Sequence, residues 1–275
     1  MNDFFKVIAD IDELKWFFDH LVEKPLDGES YMICHSARSK HMTPEERKEY
    51  GANRSEMFHT EISKKILNRE YKWNDFLALV SKLETSRYAY ITENGYLYKD
   101  NMLVSYLYLN PCSEAACAWD TLERINTINK DLFSSALKGS TVGVNDSVWK
   151  LSTISNHIKA CHAQNPSRKV WIDFDIDCET PDDPKFPQVV YSVTKEVFGF
   201  KKFFLVKTTG GIHAVVKKEA LKFNPNLYTN MVVDELKKIG IDCKEVKKND
   251  NCMIPCAGTY QYGNPVVILN KEDFE

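Results

Sequence analysis

The chain has 275 residues, 43% apolar and 27% charged, an ordinary globular mixture with room for one large domain or two small ones. With 36 Lys and Arg against 39 Asp and Glu, bulk charge cannot hold a nucleic acid, so any such partner needs a local basic patch. No apolar run approaches the roughly 18 residues of a membrane span, and MNDFFKVIADIDELKWFF has acids inside its apolar part, unlike a signal peptide, so no membrane partner and a cytoplasmic location are expected.

In chain order, Ile11, Leu14, Phe18, Leu21 and Val22 recur at helical spacing and predict a first amphipathic helix. YMICHSARSK begins as a strand and then turns basic. Thr43-Pro44-Glu45-Glu46 reads as a helix start, with Thr as N-cap and Pro in the first turn. Further helices are expected from Ser55 to Leu67 and from Trp73 to Leu83, and strands at Tyr88 to Ile91 and Leu103 to Leu109. Thr121 to Leu137 fits no single pattern; Lys138 to Asp146, with two Gly, reads as loop, and Ser152 to His162 as helix. From Arg168 the pattern sharpens: strand 168–176, the loop ETPDDPKFP, helix 187–198, strand KKFFLVKT, a tight TGG turn, strand IHAVVKK and helix 225–239 stopping at Gly240. A short strand around Ile241–Asp242 and a last one at 265–269 follow. That order is β-α-β-β-α-β, in which two helices cover one face of an antiparallel sheet and leave the other free. The final VVILNKEDFE stops just after a strand, as a trimmed longer protein would.

Eight cysteines in a cytosolic chain are expected to be mostly reduced thiols. Cys112 and Cys117, Cys161 beside His162, and Cys252 and Cys256 form no CxxC pair; small buried residues are the plainer reading, and a zinc site the alternative.

The stretch VWIDFDIDCE carries the chemistry. Strand alternation sends Val170, Ile172, Phe174 and Ile176 to one face and Asp173, Asp175 and Asp177 to the other, with α-carbons roughly 7 Å apart per two-residue step. Carboxylates that close repel one another, and a divalent cation removes the repulsion. Two of them at this spacing can bracket a pair of Mg²⁺ or Mn²⁺ ions, the arrangement used for in-line phosphoryl transfer. The bland alternative is a solvated strand face with some acids on it. In KTTGGIHAVVKK, the glycines permit a tight turn and close ligand approach. His213 begins the following strand, where it could face the acids and contact a triphosphate oxygen, and Lys207, Lys217 and Lys218 supply positive charge. In GIDCKEVKKNDNCMIPCAGTYQYGNPVVIL, Asp242 could complete a metal cage, and Asp250 competes for that role.

Together, in this order, the three elements resemble the archaeo-eukaryotic primase superfamily, the primase-polymerases. The family's Asp-x-Asp/Glu strand is matched by Asp173 and Asp175, its small-x-His by Gly211-Ile212-His213, and its apolar-Asp by Ile241-Asp242. The usual Ser of the second motif is missing, with Thr208 or Thr209 in its place. Downstream, MIPCAGTYQYGNPVVIL is similar to the family's R-x-P-G-[ST] stretch through Gly258-Thr259, Gln261 and Gly263, although Met253 stands where Arg is expected. The likeness covers about 168–270. SARSKHMTPEERKEYGANRSEMF is similar to small phage, plasmid and CRISPR-associated members.

The resemblance implies an α+β fold: an RRM-like βαββαβ catalytic palm over 166–275, with an N-terminal α/β module over 1–165 packed against it. It implies two metal ions, Mg²⁺ or Mn²⁺, on Asp173, Asp175 and Asp242, and His213 on the incoming NTP or dNTP, with Gly211, Thr209 and Lys207 nearby. Arg38, Lys40, Arg47 and Arg54 are candidates for phosphate or template contacts, against a plain reading as solvated charge. The expected activity is DNA-dependent primase-polymerase: primer synthesis started de novo on single-stranded DNA, with helicase or other replication or CRISPR-associated proteins as partners. The rivals are a catalytically degenerate member that only binds DNA and another metal-dependent nucleotidyl enzyme such as a cyclase. A relaxase-type nickase would want a His-x-His cluster, and an RNA-recognition module would put aromatics rather than acids on the open face.

Overall fold

A computed structural model describes residues 4–39, 42, 45, 59–67, 72–86, 88, 95, 97–178, 184–241, 243–249 and 251–275. Asp10 caps helix α1 (Ile11–Leu21) by accepting from the Asp12 and Glu13 amides, and Leu14, Phe17 and Leu21 form its buried face. Strand β1 (Glu29–Arg38) pairs antiparallel with β2 (His59–Leu67) on one side and β3 (Leu103–Tyr108) on the other. Helix α2 (Trp73–Ser81) adds Phe76 and Val80 to the core beneath α1.

The described part of the helix expected from Ser55 to Leu67 is instead strand β2. Ile62 and Ile66 are four residues apart, a spacing that satisfies both the helical period and strand alternation; pairing with β1 decides in favour of the strand. Tyr88 is not in a strand, and the rest of the strand expected up to Ile91 lies outside the described residues. The helix start at Thr43 also lies outside them, apart from Glu45, which is helical.

Between β4 (Cys112–Ser113) and β5 (Trp171–Cys178) the chain makes a three-helix excursion: α3 (Glu114–Leu137), α4 (Thr141–Ser152) and α5 (Ile154–Gln164). The loop expected over Lys138 to Asp146 is therefore corrected. Ser140 caps α4 by accepting from the Gly143 amide. Gly143 serves close helix packing rather than a turn, since a Cβ there would sit 2.4 Å from Ser135 Oγ on α3.

The second sheet follows the anticipated order: β5, α6 (Phe186–Phe198), β6 (Phe203–Lys207), β7 (Ile212–Lys217), α7 (Pro225–Lys238), β8 (Cys243–Asn249). Its strands lie in the order β12-β6-β7-β5-β8, with β12 (Val267–Ile268) on the edge and every pair antiparallel. Ile172, Phe174 and Ile176 pack with Val190 and Val193 of α6 and Tyr228, Val232 and Leu236 of α7. The fold is α+β.

The opposite face of this sheet is not bare. Trp171, Phe204, Val206 and Val215 pack into one core with Phe17, Leu21, Tyr31, Ile33 and Phe76. Burying each such large apolar side chain is worth roughly 1.5–3 kcal/mol, so this shared core fixes the two sheets against each other. The chain then crosses back: β9 (Met253–Pro255) and β10 (Tyr260–Gln261) pair with β3, and β11 (Asn264–Pro265) pairs with β10. The final strand expected at 265–269 is thus divided between β11 and β12, one in each sheet. What stays partly open on the acid face is β5 from Asp175 onward. No helix among the described residues is long and apolar enough to cross a membrane.

Candidate active site

Strand β5 lies between β7 and β8, so its acids have neighbours on both sides. Asn110 sets its position. The Asn110 side chain accepts from the Val170 and Trp171 amides at 2.8 and 2.9 Å and donates to the Trp171 carbonyl at 3.0 Å, tying the strand to the first sheet. In register, Asp173 lies between Val215 and Asn249, and Asp175 between His213 and Lys247. The acids run from a dry floor to an open mouth: Asp173 is fully buried, whereas the Asp175 side chain is 29% exposed.

His213 sits across the strand from Asp175 but reaches diagonally to Asp173. Its Nδ1–H donates to both Asp173 carboxylate oxygens, at 3.0 and 3.1 Å, and its Nε2 lies 3.6 Å from Asp175 Oδ1. Burial alone would push the imidazole pKa down. The Asp173 carboxylate, helped by Asp175 and Asp177, outweighs burial and lifts it to about 9. At neutral pH the site therefore holds an imidazolium among carboxylates.

These groups line a cleft of about 240 Å³ between the sheets. Asp173, Asp175, Asp177 and His213 form one wall with Thr208, Gly210, Lys247 and Asn249. The other wall is built by Arg38 of β1, Tyr106 of β3, Met253 and Pro255 of β9, and Gln261 and Tyr262. Arg38 donates from Nη1 to the Tyr106 hydroxyl at 2.7 Å. Burial opposes its charge, but the Tyr106 and Tyr262 hydroxyls prevail and move its pKa up. A positive group from the first sheet thus faces the acids of the second.

The expected site residues separate into three groups. Asp173, Asp175, His213 and Arg38 come together in the cleft, with Asp177 at its edge. Asp242, Lys40 and Arg54 lie outside the described residues, as do Arg47 and Asp250. Gly211, Thr209 and Lys207 do not line the cleft. Gly211 is a packing residue: a Cβ there would stand 2.6 Å from the Ile176 carbonyl oxygen, so only glycine lets the hairpin close on β5. Thr209 is held by Gln261, its amide donating to Oε1 and its hydroxyl to the main-chain carbonyl, each at 2.8 Å; Thr208 is the threonine in the cleft. Lys207 is exposed at the end of β6. Lys217 is committed elsewhere, 2.8 Å from Glu23 and over the Trp171 ring.

Sequence reasoning missed Lys247 and Asn249. It ended the strand near Asp242, whereas β8 runs on to Asn249. The signal was present in KEVKKN: Val246 joins the core under the helices, so Lys247 and Asn249 must face the acids. Carboxylate oxygens, with Asp175 partly open to solvent, are a donor set suited to Mg²⁺ or Mn²⁺. No family model matches the chain, and the searches of curated proteins and of solved structures return no match.

Proposed function

We propose that the chain is a metal-dependent, DNA-templated primase-polymerase, with the second sheet as an RRM-like catalytic palm. The observation that carries the reading is the convergence of Asp173, Asp175 and His213 on the floor of a cleft whose opposite wall carries Arg38. Two divalent cations bound on these carboxylates would activate a primer 3′-hydroxyl and offset charge on the incoming triphosphate. The protein's own groups do the rest. His213 would contact a phosphate oxygen, and Arg38 and Lys247 add positive charge along the triphosphate. The cleft volume suits a polyphosphate with its cations, which leaves base and sugar to lie along the first sheet.

A second reading, a degenerate member that only binds DNA, has its own observation. Asp173 is buried with both oxygens engaged by His213, and the β8 positions beside Asp173 and Asp175 are Asn249 and Lys247 rather than carboxylates. One assay separates the readings: labelled nucleoside triphosphates, single-stranded DNA template, and Mn²⁺ or Mg²⁺. The proposal expects products longer than a dinucleotide, lost when Asp173→Ala and Asp175→Ala are combined. Equal product from that double variant removes these acids from the mechanism. Template binding without product supports the second reading, and extension only from a supplied primer reduces the activity to polymerase.

A further inference from the structure

The three-helix excursion has little to hold it together. Over 24 residues α3 buries only Cys117 and Ile128, and α4 buries only Ser147. Trp119, Leu122, Phe133, Leu137 and Trp149 all lie exposed. A unit this poor in core needs another tie.

At its base lies one. Cys112 on β4, Cys117 in the first turn of α3 and His162 in the last turn of α5 bring their ligand atoms within 4.8 Å of one another. Cys161 is packed in the same buried cluster. We propose that Cys112, Cys117 and His162 hold a structural zinc ion that staples the two ends of the excursion to the first sheet, with Cys161 beside it paired to His157 at 3.2 Å. The site is separate from the carboxylate cleft and does not depend on the polymerase reading.

Four observations carry it. The Cys-x4-Cys spacing of Cys112 and Cys117 is one that zinc sites use. The Cys112 and Cys117 sulfurs are 3.1 Å apart, too far for a disulfide of about 2.05 Å, and a side-chain shift of about 0.6 Å would bring them to the roughly 3.7 Å that two thiolates adopt on tetrahedral zinc. His162 is oriented as a ligand: its Nδ1 donates to the Ile158 carbonyl at 2.8 Å, which fixes the tautomer and leaves the Nε2 lone pair for a metal. The donors come from both sides of the excursion, Cys112 and Cys117 before it turns outward and His162 where it returns. Sulfur with imidazole selects zinc over the hard cations expected in the cleft.

The test is the metal content of the 275-residue chain purified without chelator, by inductively coupled plasma mass spectrometry. The expected result is about one zinc per chain. Apoprotein loaded with Co²⁺ alone should show thiolate-to-cobalt charge-transfer absorption and the strong visible bands of a tetrahedral site. Cys117→Ser should lose most of the metal, His162→Cys should retain it, and Asp173→Ala with Asp175→Ala should leave it unchanged. Should the cysteine variant fail to fold, the wild-type zinc content and cobalt spectrum decide alone. Folded wild-type protein without zinc and with no cobalt charge-transfer band would overturn the proposal. So would zinc retained when Cys112→Ser and Cys117→Ser are combined, or a Cys112–Cys117 disulfide in a non-reducing peptide map.

Discussion

Replacing Asp173 by Asn in metal-free protein isolates the pair on the floor of the cleft. His213 has its pKa raised from 6.5 to about 9, and its side chain is only 12% exposed, so solvent screens the pair little. A rise of that size corresponds to about 3 kcal/mol of folding stability, to order of magnitude. The folded protein holds this proton more tightly than the unfolded chain does. The contribution is therefore complete below about pH 6.5 and is lost as the pH rises through about 9. Asp173→Asn removes the larger part of it, since Asp175 and Asp177 act from farther away. Wild type and variant should differ by about 2–3 kcal/mol near pH 6 and converge towards about pH 10. The assay is urea denaturation with chelator present at several pH values, paired with an NMR titration of the His213 ring protons. A difference that stays flat across that range, or an imidazole that titrates at the same pH in the variant, would refute the reasoning.

Other changes probe the supports of the site. Gly211→Ala places a methyl group against the Ile176 carbonyl oxygen, a backbone atom that cannot swing aside; a loss of about 1–3 kcal/mol by denaturation is expected, with nucleotide incorporation falling as His213 shifts. Gln261→Ala removes the Oε1 acceptor of the Thr209 amide and keeps the main-chain acceptor of its hydroxyl, and should cost about 1 kcal/mol in the same measurement. Arg38→Ala should raise the nucleotide KM by about tenfold or more in the incorporation assay, with Arg38→Lys a partial rescue, because lysine keeps the charge but not the planar fork held by Tyr106.

The second sheet was legible because two signals agreed there: alternation on β5 and the helical stripes of α6 and α7 specify the same buried face, and the acids are left on the other. His213 followed, since the TGG turn fixes where β7 begins. The misreadings have separate causes. Ile62 and Ile66 fit two periods at once, and only pairing with β1 selects the strand. Gly143 was read as a loop glycine because a sequence does not show that a neighbouring helix passes against it. The glycine and threonine of the hairpin were read as ligand contacts, when one is required by the Ile176 backbone and the other by Gln261. Least legible was the far wall of the cleft. Arg38, Tyr106 and Tyr262 stand against the acids only because β9 and β10 return to the first sheet, a long-range pairing with no local signature.

The most direct test of the central claim is a crystal structure of the chain soaked with Mn²⁺ and a non-hydrolysable nucleoside triphosphate, with data collected at the manganese edge. The account predicts anomalous density at coordination distance from Asp173 and Asp175, with the triphosphate against His213 and Arg38. Nucleotide bound elsewhere, with no manganese at these carboxylates, would contradict it.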